Sequence, residues 1–265
     1  MKIGFIGCGN MATAMMKGMI ESNWVDASSI LVSNRSKEKL INIEKNYGVQ
    51  IEFDNKKVAE RSDLLILSVK PQMYVDVIEE IKTSLKTNVL ILTIAPGFTL
   101  LRLEELLGNH KIVRSMPNTP AMVGQGMSAY VCNKNCNEKD QELIEAFLNC
   151  FGKCAQVNES QMDAVTAVSG SSPAYVYLFI EAMADAAVKE GLSRNVAYEF
   201  AAQAVLGSAK MVLDTKKHPG ELKDMVCSPA GTTIEAVSVL EKKGFRGIVM
   251  EAMEACANKS SGMGK

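Results

Sequence analysis

Short, continuous apolar runs alternate with amphipathic stretches through the first part of the chain. The clearest runs are KIGFI (2–6), SILVS (29–33), DLLILSV (63–69), NVLILTI (88–94) and KIVRS (111–115). The segments between them include helix-like stretches at 9–22, 36–46 and 72–85. Alternation of continuous β-branched runs with helices is typical of a parallel sheet that helices cover on both faces. We therefore predict an α/β unit with a doubly wound, mostly parallel sheet, which the runs at 126–132 and 154–157 extend.

The pattern changes near residue 160. From Asp163 onward no strand-like run occurs, and long helical blocks follow at 173–191 and 194–215, with two shorter ones after His218. The long blocks are apolar on nearly every side, which predicts burial on more than one side, as in a helical bundle or a dimer interface. We predict two domains, with the sheet in residues 1–160 and helices alone in residues 161–265.

The composition is ordinary for a globular protein, with 47% hydrophobic and 22% charged residues among 265. The net charge of −1 gives no broad basic field, so we expect no nucleic-acid partner. No apolar run approaches the ~20 residues of a membrane-spanning helix, so we expect no membrane association. The start, MKIGFIGCGN, has a strand-like run and glycines instead of a signal peptide, which predicts a cytoplasmic location with reduced cysteines.

Four of the seven cysteines form two C-x3-C pairs, Cys132 with Cys136 and Cys150 with Cys154. This spacing is compatible with a zinc site. However, Cys132 ends an apolar run and Cys150 falls on the apolar face of a predicted helix, where a free cysteine behaves as a small hydrophobe. We favour buried thiols over zinc and expect no metal.

A G-x-G-x-x-A motif lies between the first predicted strand and the first predicted helix, in 4-GFIGCGNMATA-14. Gly7 permits the tight turn, Gly9 lets the backbone approach a pyrophosphate, and Ala12 lets the helix and the strand pack closely. The start of the helix then offers free N–H groups and its positive dipole to the phosphates. A strand before the motif and a helix after it predict a dinucleotide-binding, Rossmann-like domain.

The end of the second predicted strand bears on which nicotinamide cofactor is used. An acidic residue there usually binds the ribose hydroxyls of NAD, but this chain has 33-SNRS-36. Arg35 can pair with a 2′-phosphate, and Ser33, Asn34 and Ser36 can donate to it. The alternative is that Arg35 is a solvated surface charge. The absence of an acid favours NADP(H) and leaves NAD(H) open as a second cofactor.

Two further strand ends carry turn residues, in 68-SVKPQ-72 and 94-IAPGFT-99. Ligands of open parallel sheets lie outside the carboxyl ends of the strands, so we expect Lys70 and Ala95 to flank the cofactor. In the following loop, 115–126, two prolines frame Asn118. That loop is either a rigid crossover or a contact to the nicotinamide, and the sequence does not decide between them.

The stretch 225-MVCSPAGTTIEAV-237 interrupts the helical region with a proline, a glycine and three hydroxyl residues. It holds no His, Asp or Glu before Glu235, so it does not resemble an acid/base centre. It opens a predicted helix at 233–243, whose free N–H groups can hold a carboxylate. Taken alone, it is also compatible with an ordinary Ser/Thr N-cap. His218, which precedes a proline at a helix start, is expected to be structural.

Several motifs occur together and in order: FIGCGNMA, SVKPQ, RSMPNTPAMVG, AVSGSSPAYVYLFIEAMADAAVKEGL and HPGELKDMVCSPAGTTIEAVSVLE. From residue 1 to about 258 the chain resembles the pyrroline-5-carboxylate reductase family, and the last motif resembles that family's signature. The resemblance implies NADPH- or NADH-dependent reduction of the cyclic imine 1-pyrroline-5-carboxylate to L-proline, the final step of proline biosynthesis, by direct hydride transfer to the imine carbon. It also implies homodimers exchanging the helical domain, often assembled into a decamer.

The resemblance also implies site residues. The cofactor loop falls on Ile6, Gly7, Cys8, Gly9, Asn10 and Met11, the 2′-phosphate contacts on Asn34, Arg35 and Ser36, and the nicotinamide side on Val69, Lys70, Pro71, Ala95 and Asn118. The implied substrate contacts are Ser228, Gly231, Thr232 and Thr233, with Glu159 a weaker candidate. Among them Thr233 is the expected catalytic residue, because a threonine hydroxyl can serve the ring nitrogen.

The chain departs from the family pattern at Pro96, Ser172 and Ala230. Ala230 matters most, because a methyl group in the substrate loop either crowds it or requires a different turn angle.

Two other classes of protein remain alternatives. A 3-hydroxyacid dehydrogenase of the same build needs a lysine on the first long helix of its second domain, but 169–186 has none and the first is Lys189. A regulatory dinucleotide-binding protein without catalysis would not need an intact 228-SPAGTT-233.

Overall fold

The computed structural model describes residues 1–262, and eight strands of these residues form one sheet in the order β3-β2-β1-β4-β5-β6-β7-β8. The strands are β1 Ile3–Ile6, β2 Ile30–Ser33, β3 Gln50–Glu52, β4 Leu64–Leu67, β5 Leu90–Thr93, β6 Lys111–Met116, β7 Gly126–Cys132 and β8 Gly152–Gln156. Strands β1 to β6 pair in parallel, β7 is antiparallel to β6, and β8 is parallel to β7. The predicted mostly parallel sheet is confirmed.

Twelve α-helices accompany the sheet within residues 1–262. They are α1 Asn10–Glu21, α2 Lys37–Tyr47, α3 Asn55–Arg61, α4 Tyr74–Ile81, α5 Leu100–Leu107, α6 Glu138–Asn149, α7 Met162–Val165, α8 Ser172–Lys189, α9 Arg194–Thr215, α10 Pro219–Val226, α11 Thr232–Lys242 and α12 Phe245–Gly262. The predicted helix at 72–85 is broken into α4 and two flanking 3₁₀ turns, Pro71–Met73 and Lys82–Ser84. Strand β3 and helices α3 and α5 were not predicted, and three helices, α10 to α12, follow His218 where two were expected.

The central strands are buried on both of their faces. In β4, Leu64 and Ile66 belong to the apolar cluster on one face of the sheet, and Leu65 and Leu67 belong to the cluster on the other. Helices α1, α2 and α6 supply buried side chains to the first cluster, and α3, α4 and α5 to the second. A strand buried on both sides gains stability from every residue, which explains the continuous apolar runs.

The described chain divides into two compact units. The first comprises Met1–Ser171 together with the residues from Cys256 onward, and it holds the whole sheet. The second, Ser172–Ala255, contains helices and no strand. The change of pattern that the sequence shows near residue 160 coincides with a short 3₁₀ turn, Glu159–Gln161. The predicted all-helical second half is confirmed.

The helical unit buries few of its apolar side chains within this chain. Helices α8 and α9 pack against each other after a turn at Gly191, whose φ is +103°. Their buried apolar residues are alanines, whereas Leu178 and Phe200 are each 68% exposed. No helix within residues 1–262 is long and apolar enough to cross a membrane.

Candidate cofactor and substrate sites

A cleft of about 690 Å³ opens where β1, β2 and β4 end. Several residues predicted to contact the cofactor line it: Ile6, Gly7, Cys8, Gly9, Asn34, Arg35, Ser36, Val69 and Lys70. The carboxyl ends of neighbouring parallel strands lie on one edge of a sheet, which is why residues far apart in sequence meet there.

The first two glycines of the motif serve different purposes. Gly7 has φ +101°, and a Cβ built on it would lie 2.7 Å from the carbonyl oxygen of Ser68. Gly9 has an ordinary extended backbone (φ −75°, ψ 178°), and a Cβ there would meet nothing within 4 Å. Gly7 is therefore required by the fold of the turn itself, whereas Gly9 leaves open space on the cleft.

Hydrogen bonds hold the glycine-rich turn between two strand ends. The N–H of Gly7 donates to the carbonyl of Ser33 at 2.8 Å, and the hydroxyl of Ser68 donates to the carbonyl of Gly7 at 2.8 Å. Helix α1 then begins after Gly9, which caps it without any side-chain hydrogen bond. An uncapped helix start beside a glycine without Cβ contacts is the arrangement that accommodates a diphosphate, so the residues present fit a dinucleotide.

The loop after β2 is ordered by its own polar groups. Ser36 caps α2, its Oγ accepting from the N–H of Lys39 at 3.4 Å, and the Asn34 amide donates to the Ser36 carbonyl at 3.4 Å. Arg35 is exposed, and its Nη1 contacts the Sδ of Met73 at 3.7 Å. Ser33 is buried, and its hydroxyl donates to Asn55 at 2.7 Å, so it is engaged within the fold.

The cleft includes residues that the sequence did not indicate: Lys39, Phe53, Asn55, Met73, Asp76, Val77 and Glu80. Asn55 joins two walls, because its Oδ1 accepts from Ser33 and its Nδ2 donates to Glu80 at 2.9 Å. Burial raises the pKa of the Cys8 thiol, and the nearby charge of Lys39 partly opposes that rise. Cys8 is therefore protonated at neutral pH and lines the cleft as a small apolar group.

The 228–233 loop of the helical unit carries free polar groups. Helix α11 begins at Thr232, and its N-cap, Gly231, makes no side-chain capping bond. The Gly231 N–H donates to the carbonyl of Ser228 at 3.1 Å, which closes the turn. The N-cap of α11 is thus a glycine, and the alternative of an ordinary Ser/Thr N-cap is wrong. An uncapped helix start with hydroxyl residues on both sides of its N-cap is suited to an anionic ligand.

Comparison with known proteins identifies the family. Residues 159–263 match the model for pyrroline-5-carboxylate reductase dimerisation, and residues 2–96 match the model described as NADP oxidoreductase, coenzyme F420-dependent. The pyrroline-5-carboxylate reductase of Escherichia coli is 49% identical over 100% of this chain and 98% of its own length. That of Methanosarcina acetivorans is 42% identical over the same shares of the two chains.

The chain belongs to the pyrroline-5-carboxylate reductase family. A crystal structure of the Plasmodium falciparum pyrroline carboxylate reductase with NADP bound superimposes with a TM-score of 0.91 at 37% identity, covering 100% of this chain and 98% of that one. The Coxiella burnetii pyrroline-5-carboxylate reductase gives 0.93 at 36% identity over the same shares.

More distant structures share the fold alone. A prephenate dehydrogenase of Aquifex aeolicus is 13% identical with a TM-score of 0.57, covering 93% of this chain and 98% of that one. A Mycobacterium tuberculosis 3-hydroxyisobutyrate dehydrogenase is 14% identical with a TM-score of 0.51, covering 72% and 66%. These likenesses show a shared fold and carry no information on the activity of this chain.

Other residues that the family resemblance implied lie outside the lining of this cleft, although Asn10 lines a second cavity that shares Cys8 and Lys39 with it. Asn10, Met11, Pro71, Ala95 and Asn118 are not part of the cleft lining. The Asn118 amide donates to the Ser169 hydroxyl at 3.1 Å, and its Oδ1 accepts from the N–H of Met127 at 2.9 Å. These bonds tie the proline-framed loop to β7 and to the π-helical turn Thr166–Gly170. A role for these five residues at the cofactor stays a prediction.

Glu159 has structural partners in the sheet-containing unit. Its Oε1 accepts from the guanidinium of Arg114 at 2.9 Å and from the backbone N–H of Leu100 at 2.7 Å. Arg114 is 6% exposed, so its charge needs this carboxylate. The same oxygen satisfies an N–H at the start of α5. Its contact with substrate stays a prediction, and these bonds give Glu159 a role in stability.

The departure at Ala230 has a visible backbone consequence. Ala230 has φ +55°, in the left-handed region that glycine enters freely and alanine does not. The loop therefore keeps a glycine-like turn at a position where the family usually has glycine. The Ala230 methyl group therefore sits on a strained backbone.

The cysteines and His218 have structural surroundings that the described part of the chain shows. All seven cysteines are free thiols, and no group of three metal-ligating side chains occurs within residues 1–262. His218 caps α10, its Nδ1 accepting from the N–H of Gly220 at 3.1 Å.

Proposed function

We propose that this chain reduces 1-pyrroline-5-carboxylate to L-proline with NADPH, the final step of proline biosynthesis. Membership of the family supports the activity. The observation that carries the site assignment is the uncapped start of α11, with Ser228, Thr232 and Thr233 around its glycine N-cap. The same device, a glycine N-cap without a side-chain bond, begins α1 on the cofactor cleft.

NADP(H) is the cofactor of the proposed reaction. The loop after β2 presents Asn34, Arg35 and Ser36 to the cleft and no acidic residue. A carboxylate there would repel a 2′-phosphate, whereas a guanidinium pairs with one. When bound, the reduced cofactor supplies the hydride that the imine carbon accepts.

The substrate requires anion binding and one hydrogen bond. Its ring carries a carboxylate, which the free N–H groups and the dipole of α11 can hold. The Thr233 hydroxyl is assigned to the ring nitrogen, which becomes an amine as hydride reaches the neighbouring carbon. Since a protonated imine is already electrophilic, no protein nucleophile is needed. Counted from the protonated imine, hydride transfer gives the neutral amine, which takes up one proton to yield zwitterionic proline beside the oxidised cofactor.

Assembly and location complete the proposal. The chain forms at least a homodimer through residues of the helical unit. Helices α8 and α9 expose large apolar side chains such as Leu178 and Phe200, and contiguous apolar surface of this kind usually marks an interface. A decamer of five such dimers is the family arrangement that we extend to it. Seven free thiols suit a cytoplasmic location. Sedimentation at micromolar concentration tests the assembly, and a stable monomer would contradict it.

The activity is tested by NADPH oxidation with a panel of substrates. We expect turnover with the five-membered cyclic imino acid and none with open-chain 3-hydroxy acids and NADP⁺. Six-membered imino acids serve as a measure of ring-size tolerance. Turnover with hydroxy acids alone would favour a 3-hydroxyacid dehydrogenase, and binding of NADPH without turnover of any substrate would favour a regulatory protein.

A further inference from the structure

Lys39 occupies a position on the cofactor cleft that no motif explains. It lies in the first turn of α2, three residues after the N-cap Ser36, and its side chain is exposed. It lines the 690 Å³ cleft and also a second cavity of about 230 Å³ between α1 and α2. Lys39 therefore stands between the glycine-rich turn and the loop that follows β2.

The charge of Lys39 is free for a ligand. It forms no ion pair with any described residue, whereas many other surface lysines, such as Lys17 and Lys82, pair with a carboxylate on their own helix. Its ammonium is close enough to Cys8, between the two motif glycines, to act on that thiol electrostatically.

The other cation of this loop points to a different wall. The guanidinium of Arg35 reaches Met73, which follows β4 on the far side of the cleft. That wall also carries Asp76 and Glu80. A dianionic phosphate at the end of β2 is repelled from the acidic wall and attracted to the side where Lys39 stands.

We propose that Lys39 is a specificity-determining residue, whose ammonium pairs with the 2′-phosphate of NADP(H) as the second cation beside Arg35. A lysine suits this position because its ammonium acts as a compact charge on a flexible stem, while the planar guanidinium of Arg35 can also cover an adenine face. The inference rests on the proposed function only for the identity of the cofactor.

The test measures binding of NADP⁺ and NAD⁺ by calorimetry to the full chain, with 2′,5′-ADP and 5′-AMP as probes that lack nicotinamide. In Lys39→Gln, affinity for NADP⁺ and 2′,5′-ADP should fall about tenfold, as for loss of one charge-assisted contact, while NAD⁺ and 5′-AMP change less than about twofold. Lys39→Arg should keep most of the affinity. Lys45→Gln is the matched control, because it removes the same charge from α2 roughly 9 Å further along the axis.

Equal losses for NADP⁺ and NAD⁺ would overturn the inference and assign Lys39 to the diphosphate. Unchanged affinities for both cofactors would show that Lys39 is a solvated surface charge, and would also overturn the inference. The outcome is independent of the imine, because a chain that bound NADP⁺ through Lys39 but failed to reduce the substrate would refute only the proposed function. Circular dichroism of each variant confirms that the fold is intact.

Discussion

The two glycines of the cofactor turn give a sharp prediction, because the same substitution should have different effects two residues apart. In Gly7→Ala the new Cβ would lie 2.7 Å from the carbonyl oxygen and 2.8 Å from the carbonyl carbon of Ser68. These are backbone atoms at the end of β4, which no side-chain rotation can move. Gly7 also has φ +101°, which alanine adopts only under strain.

The cost can be worked from these contacts. The backbone conformation contributes about 2 kcal/mol and the overlap about 2 kcal/mol, while the more restricted unfolded chain offsets about 0.7 kcal/mol. The net loss of roughly 3 kcal/mol corresponds to a Tm lower by about 6–12 °C for a chain of this size. In Gly9→Ala the φ of −75° suits alanine, and the entropy gain roughly cancels the loss of a good N-cap, so stability should change by less than about 0.5 kcal/mol.

For cofactor affinity the informative variant is Gly9→Ala, which should leave stability nearly unchanged. The Gly9→Ala methyl stands in open space on the cleft, where the diphosphate approaches, so NADPH affinity should fall at least about tenfold in a protein of normal stability. Thermal unfolding by circular dichroism and NADPH fluorescence titration measure the two effects. A Gly9→Ala protein that bound NADPH normally, or a Gly7→Ala protein with the parental Tm, would refute the reasoning.

Substitutions at three further residues probe single side chains. Arg35→Asp should raise the KM for NADPH and leave that for NADH less affected, because it sets a carboxylate against a phosphate; an unchanged cofactor preference in steady-state kinetics would count against the phosphate role. Thr233→Val should lower turnover roughly tenfold to a hundredfold with the KM for NADPH nearly unchanged, because the lost hydrogen bond strengthens during hydride transfer. Near-normal turnover would leave Thr232 or backbone N–H groups as the contact. Ala230→Val should lower the free energy of unfolding by about 1–2 kcal/mol in urea titrations, because a β-branched residue fits the left-handed region worst. Ala230→Gly should be neutral or slightly stabilising, and equal stability of the two variants would contradict the strain.

Elements fixed by local composition were predictable. Strands such as β4 and β5 have four consecutive buried residues, so their apolar runs are continuous and distinct from helical periodicity. By contrast, β3 has three half-buried residues at the edge of the sheet, and its sequence, QIE, carries no such signal. The antiparallel pairing of β7 with β6 depends on residues from separate segments, which a local pattern does not encode.

The same division holds at the cofactor site. Gly7, Gly9 and Arg35 belong to short motifs whose chemistry is local, and the structure places all three on one cleft. Asn55 and Glu80 line that cleft only because α3 and α4 pack against each other, so the bond between them joins residues 25 apart in sequence. Their types, an amide and an acid on helices, look like ordinary surface residues in the sequence. Residues such as these reach the cleft through long-range packing, which short sequence motifs do not encode.

The central claim is direct hydride transfer to the imine carbon of 1-pyrroline-5-carboxylate. The most direct measurement uses NADPH deuterated on the transferred position of C4 and follows the product by mass spectrometry and NMR. The account predicts L-proline with one deuterium at C5, formed in a one-to-one ratio with NADP⁺. Proline without deuterium at C5, or NADPH oxidation without proline, would contradict it.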